Sequence, residues 1–213
     1  KGRGSGLGLA IVRRIIAERR DIRGTLTVTI DPFDAKDFDD AISFKDLGDD
    51  KYEIGVHIAD VSHYVREGTA LDAEAQKRGC SIYLVDRTIP MLPEILSNDL
   101  CSLKPNVDRL VFSSIFTFSK NHEMLTEWYG KAVIYSDKRF SYEEAQEVLD
   151  AKQGLYFDEL TAMNVLAKKL HKERIDAGAM SLEQDEVKFT LDVNGVPTSV
   201  YRKVRGDTHK MIE

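Results

Sequence analysis

The chain contains little cysteine and no long hydrophobic run, and these two shortages exclude several classes of protein. Its two cysteines, Cys80 and Cys101, are too few for a disulfide framework and are not spaced as a metal-binding pair. No apolar stretch approaches the roughly 20 residues that span a bilayer, and the first residues lack the charged-then-apolar pattern of a signal peptide. We therefore expect a protein of the reduced cytoplasm and not a membrane or secreted one.

Positively charged residues are fewer than negatively charged ones. Lysine and arginine number 30 against 36 acidic residues, which gives a formal net charge of −6. This balance argues mildly against a nucleic-acid partner, because phosphate contacts require lysine and arginine. Basic side chains nevertheless recur in local groups at 13–14, 19–20, 138–139, 168–169 and 202–205. A hydrophobic fraction of 42% with 31% charged residues is ordinary for a soluble globular chain of one or two domains.

Negative charge, by contrast, is concentrated in one run. Five aspartates follow a strand-like segment within a short stretch: Asp31, Asp34, Asp37, Asp39 and Asp40. Each ionised carboxylate raises the cost of ionising its neighbours, and a divalent cation such as Mg²⁺, which prefers oxygen ligands, removes that cost. A solvated acidic turn is the alternative interpretation. An EF-hand is disfavoured, because its glycine at position six and glutamate at position twelve are absent whether counting starts at Asp31 or Asp37.

The spacing of these aspartates allows them to surround a metal. Asp37 and Asp39 point to the same side of an extended chain, whereas Asp40 points to the other side. A turn at Pro32 would bring Asp31 back towards them. We therefore predict that Asp31, Asp37, Asp39 and Asp40 form a cage for one or two metal ions positioned for phosphoryl chemistry.

The pattern along the chain predicts an α+β fold, with a mixed, mostly antiparallel sheet and flanking helices. Strands are predicted at 25–31, 40–45, 52–58, 81–86, 108–117, 123–136, 187–192 and 197–204, and helices at 70–78, 141–152, 155–177 and from Asp207 to the last residue. The segment 52–58 alternates apolar and polar residues as a half-buried strand does. Ser141, followed three residues later by Glu144, has the form of a helix-starting capping box. Asn194-Gly195 is a strong hairpin turn signal.

Several further motifs follow the aspartate run. They are Gly55–Val65 (GVHIADVSHYV), Ser81–Ser97 (SIYLVDRTIPMLPEILS), Leu100–Leu103 (LCSL), Val107–Leu110 (VDRL), Gly178–Leu182 (GAMSL) and Thr208–Glu213 (THKMIE). Together with the aspartate run, these segments resemble the catalytic domain of the ribonuclease II / ribonuclease R family, the RNB domain. The resemblance covers about residues 18–213 and is highly specific.

The resemblance implies an Mg²⁺-dependent 3′-to-5′ exoribonuclease that hydrolyses single-stranded RNA to nucleoside 5′-monophosphates. Asp31, Asp37 and Asp40 match positions of metal ligands in the family, and Asp39 matches the aspartate regarded as most critical for cleavage. Asp34 is assigned no catalytic role. A phosphodiester repels a nucleophile, so a metal that neutralises its charge and activates water fits this chemistry.

Two tyrosines are candidate RNA contacts by the same resemblance. Tyr83 matches a tyrosine that packs against the terminal bases, and Tyr142 matches a second tyrosine near the active site. Stacking of a base on an aromatic ring contributes about 1–3 kcal/mol without selecting sequence. For either tyrosine the alternative is a half-buried core residue. His57 is interpreted as structural, because zinc would need more ligands at recognisable spacing.

The two ends of the chain carry separate expectations. Residues 4–12 (GSGLGLAIV) resemble the second glycine box of sensor histidine kinases, where glycines let backbone amides approach phosphates. We expect residues 1–20 to be a fusion or junction that includes an amphipathic helix at 7–19, and residues 21–213 to be a partial RNB domain. The family places further catalytic residues, including an arginine, beyond the position of Glu213, so we expect the isolated chain to be catalytically incomplete.

Two alternative functions remain open from the sequence. A catalytically incomplete RNA-binding module would bind single strands in a salt-sensitive manner and release no product at any Mg²⁺ concentration. A nucleotide-binding protein built on residues 1–17 would have an affinity for ATP that is lost when Gly6 and Gly8 become alanine. The full-length parent is expected to be a monomer with no membrane partner.

Overall fold

The computed structural model describes residues 18–85, 87–180, 187–202 and 205–212. The chain divides into two compact units. The first unit combines the chain up to Glu67 with Glu94–Ser141, and the second combines Gly68–Pro93 with Tyr142–Glu213. The predicted α+β class with a mostly antiparallel sheet is confirmed.

Eleven strands lie in the described part of the chain: β1 (Arg20–Asp21), β2 (Leu26–Asp31), β3 (Asp40–Gly48), β4 (Lys51–Ala59), β5 (Ile82–Tyr83), β6 (Thr88–Ile89), β7 (Asp108–Ser119), β8 (Met124–Tyr135), β9 (Lys138–Ser141), β10 (Val187–Leu191) and β11 (Pro197–Arg202). The helices are α1 (Val61–Tyr64), α2 (Ala70–Arg78), α3 (Tyr142–Ala151), α4 (Phe157–Asp176) and α5 (Asp207–Ile212), and Leu96–Leu100 form one π-helical turn.

The first unit is built on a seven-stranded sheet. Its strand order is β1-β8-β7-β4-β3-β2-β9. The central strands pair antiparallel, whereas the edge strands β1 and β9 pair parallel with β8 and β2. Strands β1 and β9 were not predicted, because strands of two and four residues leave too little alternation to recognise in the sequence.

The face of β4 that is buried differs from the face that its pattern favours. The alternation places Ile54, Val56 and Ile58 together on one side of the strand. In the structure, Gly55, His57 and Ala59 are buried, whereas Val56 and Ile58 are 37% and 49% exposed. The strand itself is confirmed, and small or satisfied polar side chains occupy its inner face.

His57 is the polar centre of this inner face. Its Nε2 lies 2.9 Å from Ser43 Oγ on β3, and its Nδ1 lies 2.8 Å from Ser113 Oγ on β7. Gly55 leaves room for the ring, since a Cβ there would lie 2.7 Å from the imidazole and 2.4 Å from Ser43 Oγ. Burial lowers the pKa of His57 to about 4. The structural interpretation of this histidine therefore agrees with its environment.

The second unit contains the remaining helices and two small hairpins. Strand β10 pairs with β11 around the turn at Asp192–Val196, where Asp192 Oδ1 accepts from the amides of Asn194 and Val196. The strand predicted at 81–86 is shorter than expected, because Ile82–Tyr83 pair with Thr88–Ile89 in a second hairpin. Helix α3 begins directly after Ser141, as predicted.

The helix predicted at 7–19 lies almost entirely outside the described residues. Its last two positions, Glu18 and Arg19, are described and are not helical. Among the described residues, no helix is long and apolar enough to cross a membrane.

The buried imidazole predicts a pH-dependent stability. An unfolded chain protonates His57 at a pKa of about 6.5, whereas the folded chain protonates it only near pH 4. Between these values the unfolded state binds more protons, so the free energy of unfolding falls as pH falls, by about 3 kcal/mol from this residue alone. Urea unfolding across this pH range should show that the free energy of unfolding decreases more in the wild type than in His57→Gln. His171→Gln on α4 is the control, and its free energy of unfolding should decrease as much as that of the wild type. An identical decrease in all three chains would contradict the assignment.

Candidate active site

The four predicted metal ligands lie at one end of the neighbouring strands β2 and β3, in the sheet of the first unit. Asp31 is the last residue of β2, and Asp40 is the first residue of the adjacent antiparallel strand β3. Asp37 and Asp39 lie in the connecting segment 32–39, hereafter the aspartate loop. Asp31 is buried, Asp37 and Asp40 are half-buried and Asp39 is exposed. The structure therefore gathers the four side chains in one region with different access to solvent.

The aspartate loop is fixed by a buried serine. Ser102, which is 1% exposed, donates from Oγ to the carbonyl of Lys36 at 2.9 Å and accepts from the amide of Phe38 at 3.1 Å. The amide of Leu103 donates to the carbonyl of Phe38 at 2.8 Å. Ser102 and Leu103 thus supply hydrogen-bond partners to backbone groups of the loop that have none in regular secondary structure.

Three further hydrogen bonds extend this support. The carbonyl of Asp39 accepts from the amide of Ala59 at 3.0 Å, which ties the loop to the end of β4. Arg109 Nε donates to the carbonyl of Ser102 at 2.7 Å, and its Nη2 donates to the carbonyl of Asp99 at 3.0 Å. These contacts give a structural role to the LCSL and VDRL motifs, for which the sequence alone predicted none. Ser102 could have been suspected as the polar residue between the apolar positions of LCSL.

The carboxylates influence one another's charge. Burial is the main cause that raises the pKa of Asp31 to about 6, and the charges of Asp40 and Asp39 raise it further. The Thr29 hydroxyl and the Arg139 guanidinium act in the opposite direction. The pKa of Asp39 is raised by desolvation within the loop, followed by the charges of Asp37 and Asp40.

Asp40 shows the same trend. Its pKa is raised by burial, against a hydrogen bond from its own backbone amide. In the metal-free protein these raised pKa values mean that ionisation of the cluster is costly. A bound cation would offset that cost, so the donor set suits a hard divalent metal.

The expected four-ligand cage is not preassembled. Across residues 18–85, 87–180, 187–202 and 205–212, no three His, Cys, Asp or Glu side chains are grouped tightly enough to hold a metal ion. Asp31 nevertheless retains a buried Oδ2 that has no hydrogen-bond partner in this part of the chain.

Tyr83 belongs to the second unit and lies in the β5–β6 hairpin. Its side chain is 67% exposed, which excludes the alternative of a half-buried core tyrosine. Ile82, Leu84 and Val85 beside it are each about half exposed. The ring is therefore accessible to a stacking partner, as a base contact requires.

Tyr142, the first residue of α3, has one ring face covered. The imidazole of His209 on α5 stacks on it with ring centroids 4.0 Å apart and planes inclined by 12°. Thr208 Oγ1 donates to the Tyr142 carbonyl at 3.1 Å, which ties α5 to the start of α3. This pairing is not visible in the sequence, because Tyr142 and His209 are distant from each other along the chain. An RNA contact by Tyr142 stays a prediction and would use the other face or the ring edge.

Comparison with known proteins identifies relatives of this arrangement. The chain is 44% identical over 207 residues to Ribonuclease R of Thermotoga maritima, a match that covers 94% of this chain and 29% of that protein. It is similar to a structure of Mycoplasma genitalium RNase R in complex with double-stranded RNA, with a TM-score of 0.85 and 33% identity over 94% of this chain and 36% of that one. Yeast Ssd1, described as a pseudonuclease, shares the fold at a TM-score of 0.70 and 22% identity over 80% of this chain and 21% of its own.

The matches concern one part of longer proteins. The chain spans between 21% and 29% of the length of five curated relatives. A family model described as the RNB domain matches residues 19–213, which include the aspartate loop and both tyrosines. The chain therefore belongs to the RNB domain family, as the resemblance of its motifs predicted.

Proposed function

We propose that this chain is the metal-binding part of a 3′-to-5′ exoribonuclease that hydrolyses single-stranded RNA to nucleoside 5′-monophosphates with Mg²⁺ as cofactor. The observation that carries the proposal is the aspartate cluster at one end of strands β2 and β3, where burial first and neighbouring carboxylates second raise the pKa values of Asp31 and Asp39. Structural roles do not explain this arrangement, because repulsion between the carboxylates costs stability in the absence of a cation.

Asp31, Asp37 and Asp40 are the proposed holders of the metal, and Asp39 is the proposed critical catalytic carboxylate. When bound, Mg²⁺ would neutralise phosphodiester charge and lower the pKa of an attacking water. The buried, unpartnered Oδ2 of Asp31 supports its assignment as a ligand. Asp39 is the most exposed residue of the four, although desolvation of its carboxyl group raises its pKa.

RNA binding is proposed to use exposed aromatic surface. Tyr83 offers a ring to which a base can stack, and this contact would not select sequence. The relative from Mycoplasma genitalium was solved with RNA, which supports RNA as the substrate class. An RNA-binding module without catalysis remains the alternative outcome, and the aspartate cluster favours the enzyme.

Replacement of Asp39 tests the catalytic assignment. Asp39→Asn keeps the size of the side chain and removes its charge, so cleavage of 3′-extended single-stranded RNA should fall by at least about 100-fold, the scale for loss of one preorganised catalytic group. RNA affinity should change little. The measurement is product release from 5′-labelled RNA with Mg²⁺ and with EDTA.

Asp34→Asn is the matched control, because Asp34 is an exposed carboxylate in the same loop with no assigned role. Full activity in Asp39→Asn would remove the assignment. RNA binding without product in the wild type would support the binding-module alternative.

The exposed ring of Tyr83 predicts a contribution to RNA affinity. Tyr83→Ala should weaken single-stranded RNA binding by about 1–3 kcal/mol, whereas Tyr83→Phe should retain most of it, because stacking needs the ring and not the hydroxyl. Fluorescence anisotropy with labelled RNA in EDTA measures both variants. Tyr201→Ala removes a tyrosine that is 54% exposed on β11 and should leave affinity unchanged; equal losses at both positions would indicate nonspecific binding.

A further inference from the structure

We propose that Arg139 is a positioning residue of the aspartate cluster, which fixes the start of the aspartate loop so that its carboxylates can receive a divalent metal. This inference rests on the proposed function above. The residue forms part of β9, the short edge strand that the sequence did not reveal.

The strand register places Arg139 beside the first aspartate of the cluster. Strand β9 pairs parallel with β2, and Thr29 is opposite Arg139 while Asp31 is opposite Ser141. Side chains that are paired across neighbouring strands, or two residues apart on one strand, share a face of the sheet. Arg139, Thr29 and Asp31 therefore belong to the same face.

The guanidinium holds the first turn of the loop. Arg139 Nη2 donates to the carbonyl of Pro32 at 2.6 Å and to the carbonyl of Phe33 at 2.8 Å. The carbonyl of Pro32 also accepts from the amide of Ala35 at 3.0 Å, which closes the turn. Charge-assisted bonds of this kind are shorter and stronger than neutral ones.

Aromatic contacts fix the orientation of the same group. The Arg139 guanidinium carbon lies 5.6 Å from the ring centroid of Phe38 and 6.0 Å from that of Phe33. Phe33 is 78% exposed, whereas Phe38 is 9% exposed. One cation thus contacts the loop near its beginning and near its end, on either side of Asp34 and Asp37.

The charge of Arg139 complements the cluster without neutralising it. Its positive charge acts on Asp31, yet Asp31 Oδ2 and Arg139 Nε are both buried and have no hydrogen-bond partner among the described residues. A direct ion pair would occupy the carboxylate that the proposed metal needs. The guanidinium is instead committed to backbone carbonyls, which leaves Asp31 available.

Arginine is better suited to this role than lysine. A planar guanidinium can stack on rings and donate to two carbonyls at once, whereas an ammonium is a compact point charge on a flexible stem. Replacement by lysine therefore keeps the charge and loses the fixed geometry, and replacement by methionine loses both.

The test combines hydrogen exchange of the loop with metal affinity in the purified chain. Arg139→Met should speed amide exchange across residues 33–39 without metal, because the turn loses the hydrogen bonds from the guanidinium. It should also weaken Mn²⁺ binding, measured by calorimetry, by about 10-fold or more, as expected when a residue that orients metal ligands is lost. Arg139→Lys should show faster loop exchange and an intermediate loss of affinity.

Lys138→Met is the matched control. It removes a cation from the same strand. Lys138 Nζ lies 5.2 Å from the ring centroid of Phe140, a residue outside the aspartate loop. This variant should match the wild type in both measurements, and amides of β7 and β8 should keep their protection in every variant.

Unchanged loop exchange in Arg139→Met would overturn the inference. Faster exchange with wild-type Mn²⁺ affinity would also overturn it, since Arg139 would then serve the fold alone. If the wild type binds no Mn²⁺, the proposed function fails instead, while the metal-free exchange comparison still decides whether Arg139 fixes the loop.

Discussion

Repulsion between aspartate carboxylates at one end of strands β2 and β3 is the constraint on which the structure of the first unit depends. Asp31 and Asp39 have raised pKa values partly because neighbouring carboxylates are close. A flexible loop would relieve this repulsion by moving its charges apart. The hydrogen bonds of Ser102, Leu103 and Arg139 to the loop oppose that movement. Part of their stabilising free energy therefore offsets the repulsion between the carboxylates.

The long strands of the sheet were predictable from sequence because their signals are local. Alternation and turn residues located β2, β3, β7 and β8 to within a few residues, and the aspartate run with its later motifs identified the family. These features depend on residues that are close in sequence. The exposure of Tyr83 could not be read in the same way, because exposure depends on what the rest of the chain covers.

The inner face of β4 shows why local patterns fail elsewhere. The apolar residues Val56 and Ile58 are exposed, while His57 is buried because serines on two neighbouring strands satisfy both ring nitrogens. A buried polar group is tolerated when it is hydrogen-bonded, and that condition is invisible until strand order is known. The stacking of His209 on Tyr142 and the hydrogen bond from Arg139 to the Pro32 carbonyl likewise join residues that lie far apart in sequence.

This division between local and distant signals separates the fold from the chemistry. The sheet rests on backbone pairing and packing, whereas the cluster rests on a loop whose position is set by side chains from other segments. A related fold can therefore persist after the loop loses its carboxylates or their anchors, and a protein with the fold need not be a nuclease. In this chain the carboxylates, the buried serine beneath them and the arginine beside them are all present, and their joint presence is a stronger argument for catalysis than the sheet itself.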